Sequence, residues 1–385
     1  MTDSFTFRPL YHRILILLFL GVLFLPPLKM FLSPETLWSV TEQRPLANLP
    51  APPATINQLP LFFSQIDTYL KDHFGFRDSF IHRYRREMEK RFNQFGINVP
   101  VLKGLNGWYF YTAFNVLSDF RGETPLSPEQ LEQWLTAQEK KANWLRQNGI
   151  QYILAAGPDK QSIYPEYLFA NALASKGVSR FEQLQARLGQ RTPVWLVNLH
   201  DALRQSKGEQ NLYYKNDTHW NMLGSYVAFQ AIFKRINEMF PTTTFKTDFP
   251  FADDVNDAGG NTGLGGDLTR MLMKENLTET SPKRQDFQPC GQFIPSIFKL
   301  SNIPQEPDRY SFVKSCRQAE LTAIVFRDSF MVAMEPLFSE NFKQVIYLWK
   351  GYDQKNIEEI MAVVKPDIVI ELVVERHFFD SVAPR

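Results

Sequence analysis

The sequence predicts an α/β fold: a mostly parallel sheet with helices on both faces, preceded by an N-terminal membrane anchor. Three features predict it. Apolar runs without clean alternation occur at 151–157 (QYILAAG), 193–199 (PVWLVNL), 321–326 (LTAIVF), 344–349 (QVIYLW) and 367–375 (DIVIELVVE), as strands buried on both faces require. Helical patterns separate most of these runs, and such alternation builds parallel sheets. An unbroken apolar stretch, ILILLFLGVLFL at 14–25, stands near the N-terminus. With 385 residues the chain can hold one large domain plus an appendage. Its formal net charge of +1 leaves no global field to draw it to nucleic acid.

Residues 1–32 read as a cytoplasmic tail and a transmembrane signal anchor. Arg8, His12 and Arg13 precede the apolar stretch, which places that side in the cytoplasm. Continued through Pro26 and Pro27 to Leu32, the segment approaches the roughly 20 residues that cross a bilayer. The following PPLKMFLSPETLWSV offers no A-x-A-like cleavage site. A peripheral hydrophobic helix is the plainer alternative.

Residues 33–60 are rich in proline and read as an extended linker. Residues 61–120 read as a helical and strand extension packing on the main domain. Its helix from Ser79 interleaves Arg83, Arg85, Arg86, Lys90 and Arg91 with Glu87 and Glu89, the pattern of a solvated face. GLNGWYFYT at 104–112 reads as a turn entering a strand.

The main domain, 121–385, opens on a helix with Ser127 as N-cap, Pro128 at its first position, Gln130 completing a capping box and Gly149 as terminator. Further helices are expected near 178–189, over 221–239 and near 354–363. NLYY, 211–214, reads as a short strand. A polar, glycine-rich excursion fills 253–320.

Two polar motifs fall at expected strand ends, where open α/β sheets carry their sites. In FRDSF, 326–330, a serine follows a buried strand and opens a helix. Its hydroxyl projects at the sheet edge, and the first N–H groups of the helix face the same space. The plainer use of Asp328 or Ser329 is helix capping. In NDTHW, 216–220, Asp217 and His219 precede a helix, and capping by Asp217 or Thr218 is again the plainer use.

A serine nucleophile needs a base. Of the six histidines, 12, 73, 82, 200, 219 and 377, only His219 has a carboxylate two residues before it at an expected strand end. In a turn, Asp217 can hold the imidazole Nδ1–H and leave Nε2 to accept the serine proton. No second cluster with ligand spacing accompanies the motif, so neither a metal nor another cofactor is expected. Cys290 and Cys316 lie beyond the anchor, in an oxidising compartment if it spans; they are either a disulfide pair or unrelated thiols.

EQRPLANLP (42–50), DHFGFRD (72–78), GWYFY (107–111), GPDKQSIYPEYL (157–168), NDTHW (216–220), GGDLTRML (265–272) and FRDSF (326–330) occur in this order. Together they resemble the SGNH-hydrolase-like polysaccharide O-acetyltransferases of the alginate type, bacterial periplasmic proteins. The resemblance implies a Ser329, His219 and Asp217 triad in a permuted order, with the Asp/His pair preceding the serine. It makes 121–385 the SGNH-like catalytic domain of an inner-membrane-anchored type without a C-terminal carbohydrate-binding module. It also implies an exopolysaccharide acceptor and a membrane-bound acyltransferase as acetyl supplier.

Backbone donors near Ser329 and Phe330 are the expected oxyanion site. Asp328 and Arg327 beside it, Lys160 after the strand at 151–157, and Asn261 in GGNTGLGGD (259–267) are further candidates for touching substrate or an oxyanion.

Overall fold

The computed structural model describes residues 7–33, 36–39, 44–92, 99–169, 173–189, 193–250, 255–257, 266–272, 274, 279–281, 289–295 and 311–382. The chain forms two compact units, residues 1–99 with 270–274, and 100–269 with 275–385.

The first unit opens on helix α1 (Phe7–Leu32). Its stretch Tyr11–Leu32 is 22 residues long. At about 1.5 Å per residue it can cross the ~30 Å hydrocarbon core of a bilayer. Leu17, Phe19 and Val22 are all exposed, as in a helix surrounded by lipid and unlike the core helix of a soluble domain. Helices α2 (Leu59–His73) and α3 (Arg77–Phe92) follow. The proline-rich chain before them is tied to the end of α2: the Ala47 N–H donates to Asp72 Oδ2 at 2.9 Å, and His73 Nε2 lies 2.8 Å from the Ala47 carbonyl.

The second unit begins with a hairpin pairing Val101–Lys103 with Tyr109–Tyr111. Asn106 and Gly107 turn it with φ of 53° and 81°, the left-handed pair that an Asn-Gly hairpin turn supplies. Helix α4 (Pro128–Gln147) starts as expected: the Gln130 N–H donates to Ser127 Oγ at 3.2 Å and the Ser127 N–H to Gln130 Oε1 at 2.9 Å. There follow β1 (Gln151–Gly157), α5 (Arg180–Leu188), β2 (Leu196–Val197), α6 (Leu199–Gln205) and α7 (Met222–Met239). The chain continues through β3 (Gln292–Ile294), β4 (Phe312–Ser315), β5 (Thr322–Arg327), β6 (Gln344–Leu348), α8 (Gln354–Met361) and β7 (Ile368–Val374).

These strands form one sheet in the order β2-β1-β7-β5-β6-β4-β3. The first five run parallel, and β4 and β3 add an antiparallel edge. Successive residues serve opposite layers: Ile153, Val325 and Ile370 pack with Phe229 and Phe233 of α7, while Leu154, Ile324 and Val369 pack with Trp134 of α4, Phe181 of α5 and Ile357 of α8. Both layers are apolar, so the strands show no alternation.

Two strand expectations change. The run 193–199 contributes only two paired residues. Among the described residues NLYY joins no sheet: Tyr213 makes an isolated bridge to Trp220, and the Asn221 N–H donates to the Leu212 carbonyl at 2.9 Å. The segment pairs with its own continuation, closing a loop around 214–219.

Candidate active site

Strand β5 is buried throughout and delivers its last residue, Arg327, opposite Leu372 of β7. The next residue, Asp328, makes the turn. Its Oδ1 accepts the Phe330 N–H at 2.9 Å and its Oδ2 accepts the Val374 N–H at 2.7 Å, so one carboxylate joins the turn to the end of β7. Ser329 opens a short 3₁₀ segment, Ser329–Met331. The Phe330 ring is buried against the end of β1, where a Cβ at Gly157 would stand 2.9 Å from it. Only glycine leaves room for that ring.

The second strand-end motif is held on the same side. Trp220 Nε1 donates to the Phe330 carbonyl at 3.0 Å, and the two rings pack edge to face with centroids 4.8 Å apart. The cap of α7 is Asn221, whose Oδ1 accepts the Gly224 N–H at 3.0 Å. Asp217 and His219 are therefore not spent on capping. His219 Nδ1 lies 2.6 Å from Asp217 Oδ1, and its Nε2 lies 2.8 Å from Ser329 Oγ. With the Nδ1 proton on the carboxylate side, Nε2 accepts the serine hydroxyl.

Asp217 is 2% exposed and the His219 side chain 12%, so water screens their interaction little. Burial alone would raise the Asp217 carboxyl, but the imidazole and the N–H groups of His219 and Asp267 outweigh it and hold the pKa at about 2. Burial works against a charged His219, and the adjacent Asp217 carboxylate overcomes this, with Asp267 adding to it, so that the imidazole is a stronger base than usual.

Asp267 is a residue that sequence reasoning passed over. Its Oδ1 accepts the Thr218 N–H at 2.7 Å, its Oδ2 accepts the Thr218 hydroxyl at 2.5 Å, and its own N–H donates to Asp217 Oδ2 at 3.0 Å. Gly266 permits the approach, since a Cβ there would stand 1.9 Å from the Asn216 carbonyl oxygen. The available signal was GGD at 265–267, and nothing local says which turn it meets. One donor atom from each of Asp217, His219 and Asp267 lies within 4.8 Å of the others, close enough to share a cation. The bonds just described already occupy both carboxylates.

The other candidates are largely engaged within the protein. The Phe330 N–H, expected among the oxyanion donors, is bonded to Asp328. Lys160 is 3% exposed, and its ammonium donates to the Tyr109 carbonyl at 2.8 Å and the Lys215 carbonyl at 3.1 Å. Burial lowers its pKa to about 8. Arg327 is buried, with its guanidinium 4.7 Å from the centre of the Trp349 ring. Asn261 lies outside the described residues. Cys290 and Cys316 are joined in a disulfide with Cα atoms 5.0 Å apart. Arg376, just after β7, also borders the site: its guanidinium pairs with Asp159 and stands 5.8 Å from the centre of the Phe330 ring.

A family model described as "SGNH hydrolase-like domain, acetyltransferase AlgX" matches residues 101–291, a stretch that includes Asp217, His219 and Asp267. The chain carries an SGNH hydrolase-like domain related to the alginate O-acetylases. Among curated relatives, the probable alginate O-acetylase AlgJ of Pseudomonas putida is 29% identical over 133 residues, 34% of this chain and 33% of that protein. The probable alginate O-acetylase AlgJ of Pseudomonas aeruginosa is 26% identical over 189 residues, 49% of this chain and 45% of that one. The chain thus spans less than half the length of these relatives.

Among solved structures, Bacillus cereus PatB1 is similar at 16% identity and a TM-score of 0.49, over 72% of this chain and 96% of that one. The O-acetyltransferase domain of Pseudomonas putida AlgJ is similar at 17% identity and a TM-score of 0.42, over 72% and 92%. Ahead of the SGNH hydrolase-like domain, the N-terminal apolar helix is consistent with a single-pass inner-membrane anchor and a periplasmic catalytic domain.

Proposed function

We propose that this protein is a periplasmic O-acetyltransferase that moves acetyl groups onto hydroxyls of an exopolysaccharide through an acetyl-serine intermediate. The observation that carries the reading is the continuous hydrogen-bonded line from Asp217 through His219 to Ser329, with contacts of 2.6 Å and 2.8 Å. His219 takes the Ser329 proton as the hydroxyl oxygen attacks the carbonyl carbon of the acetyl donor. It returns that proton to the leaving group as the tetrahedral intermediate collapses. A sugar hydroxyl, deprotonated by the same imidazole, then attacks the acetyl-serine, and Ser329 is regenerated.

Asp217 holds the imidazole and stabilises its charged form. The Ser329 N–H, with no bonding partner among the described residues, supplies an oxyanion donor on the turn. A polysaccharide acceptor is supported by the relatives named as probable alginate O-acetylases, and a membrane-bound acyltransferase as acetyl supplier is part of the same proposal. In this reading residues 33–60 space the domain from the bilayer.

The test uses the full chain in detergent with a soluble acetyl donor and an oligosaccharide. Acetylated sugar that disappears in Ser329→Ala supports the transferase. Ser329-dependent release of free acetate without acetylated sugar replaces it with a carbohydrate esterase. Activity that survives Ser329→Ala removes the triad.

A further inference from the structure

We propose that Asp267 is a positioning residue, which clamps Thr218 so that Asp217 and His219 stay aligned on Ser329. The proposal rests on the triad reading above and adds a role for the GGD turn. Three contacts carry it. The Asp267 carboxylate accepts both the backbone N–H and the hydroxyl of Thr218, the residue between the acid and the base. The Asp267 N–H donates to the Asp217 oxygen that His219 does not use. The clamp therefore grips the turn at its centre and at the acid, and leaves His219 Nε2 free for Ser329.

An i, i+2 pair such as Asp217 and His219 comes within hydrogen-bond distance in a turn, because on a regular helix the two side chains diverge and on a regular strand they share a face about 7 Å apart. A turn so short needs an outside restraint, and a bidentate carboxylate supplies one with fixed geometry. Asp267 also places a second negative charge near the imidazole, its Oδ2 being 3.8 Å from His219 Nδ1. The charged groups acting on His219 are then Asp217 from its own turn, Asp267 from GGD, Asp328 from the β5 turn and Arg376 after β7. Lys160, after β1, acts on the two carboxylates behind it.

The test uses full-length Asp267→Ala, Asp267→Asn and Thr218→Val in detergent, with kcat and KM measured against pH on a soluble acetyl donor. Loss of alignment lowers kcat by roughly 10- to 100-fold with KM nearly unchanged. Thr218→Val, which keeps the N–H bond and loses only the hydroxyl, falls in between. Asn keeps part of the clamp but removes the charge, so Asp267→Asn recovers part of kcat while its acid limb moves to lower pH.

A titration of 13C-labelled His219 by NMR reads the same shift without any reaction, so the clamp is tested even if the protein turns out not to transfer acetyl groups. The proposal is overturned by a wild-type kcat in Asp267→Ala, by an unmoved His219 titration in Asp267→Asn, or by activity falling only in step with the folded fraction.

Discussion

Ser329 has little chemistry of its own at neutral pH, and in the proposed mechanism His219 makes it a nucleophile by accepting its proton. Ser329→Ala is expected to lower acetyl transfer by about three to six orders of magnitude, measured as acetylated oligosaccharide, with an unchanged melting temperature. Only neutral His219 can act as the base. Because its proton affinity is raised above the ordinary 6.5 by Asp217 and Asp267 against the effect of burial, activity should fall as pH drops through a midpoint above 6.5. A kcat/KM profile with its acid limb below 6.5 would count against His219 as that base.

The same pair links folding to pH. Asp217 is depressed from 3.8 to about 2, so its contribution is fully present above 3.8 and fades as pH falls toward 2. His219 is raised, so its contribution is full below 6.5 and fades as pH rises through its folded value. The melting temperature lost in Asp217→Ala should therefore be largest between about pH 4 and 6.5.

Loops and helix ends carry the next level of organisation. Gly266 lets the GGD turn touch the carbonyl of Asn216, and a methyl group at its Cα would stand 1.9 Å from that oxygen. Gly266→Ala should push the NDTHW turn off Ser329, lowering kcat at least tenfold while the far-ultraviolet circular dichroism stays unchanged. The α4 cap lies elsewhere. Ser127→Ala removes an acceptor from the Gln130 N–H and should cost about 1 kcal/mol of stability in denaturant unfolding, with kcat unaltered. Together the two changes separate a turn that serves the site from a cap that serves only the fold.

Across the whole chain, an exposed apolar helix of 22 residues cannot rest in water. The full-length protein is expected in the membrane fraction after an alkaline carbonate wash, and deletion of residues 1–33 should release it. Recovery of the full-length chain in the soluble fraction would remove the anchor. In the second unit, the disulfide between Cys290 and Cys316 closes a loop of 26 residues, which restricts the unfolded chain and contributes about 3 kcal/mol. Reduction without denaturant should lower the melting temperature by several degrees.

Much of this was legible in the local order of residues, because local rules govern it. Ser127, Pro128, Gln130 and Gly149 carry the boundaries of α4, since a cap is made by neighbours in sequence. The apolar runs that became β1, β5, β6 and β7 announce burial on both faces by lacking alternation. Asp217 and His219 were visible as a pair because they share one turn.

NLYY misled because an apolar segment can pair with its own continuation as readily as with a sheet. The Phe330 N–H, Lys160 and Arg327 looked available because sequence position says nothing of existing partners. The closure of His219 on Ser329 across 110 residues, and of Asp267 on Thr218 across 49, depended on the folded chain. The ends of β1, β5 and β7 must lie side by side, and Gly157 and Gly266 must leave room, before charges distant in sequence come within hydrogen-bonding reach.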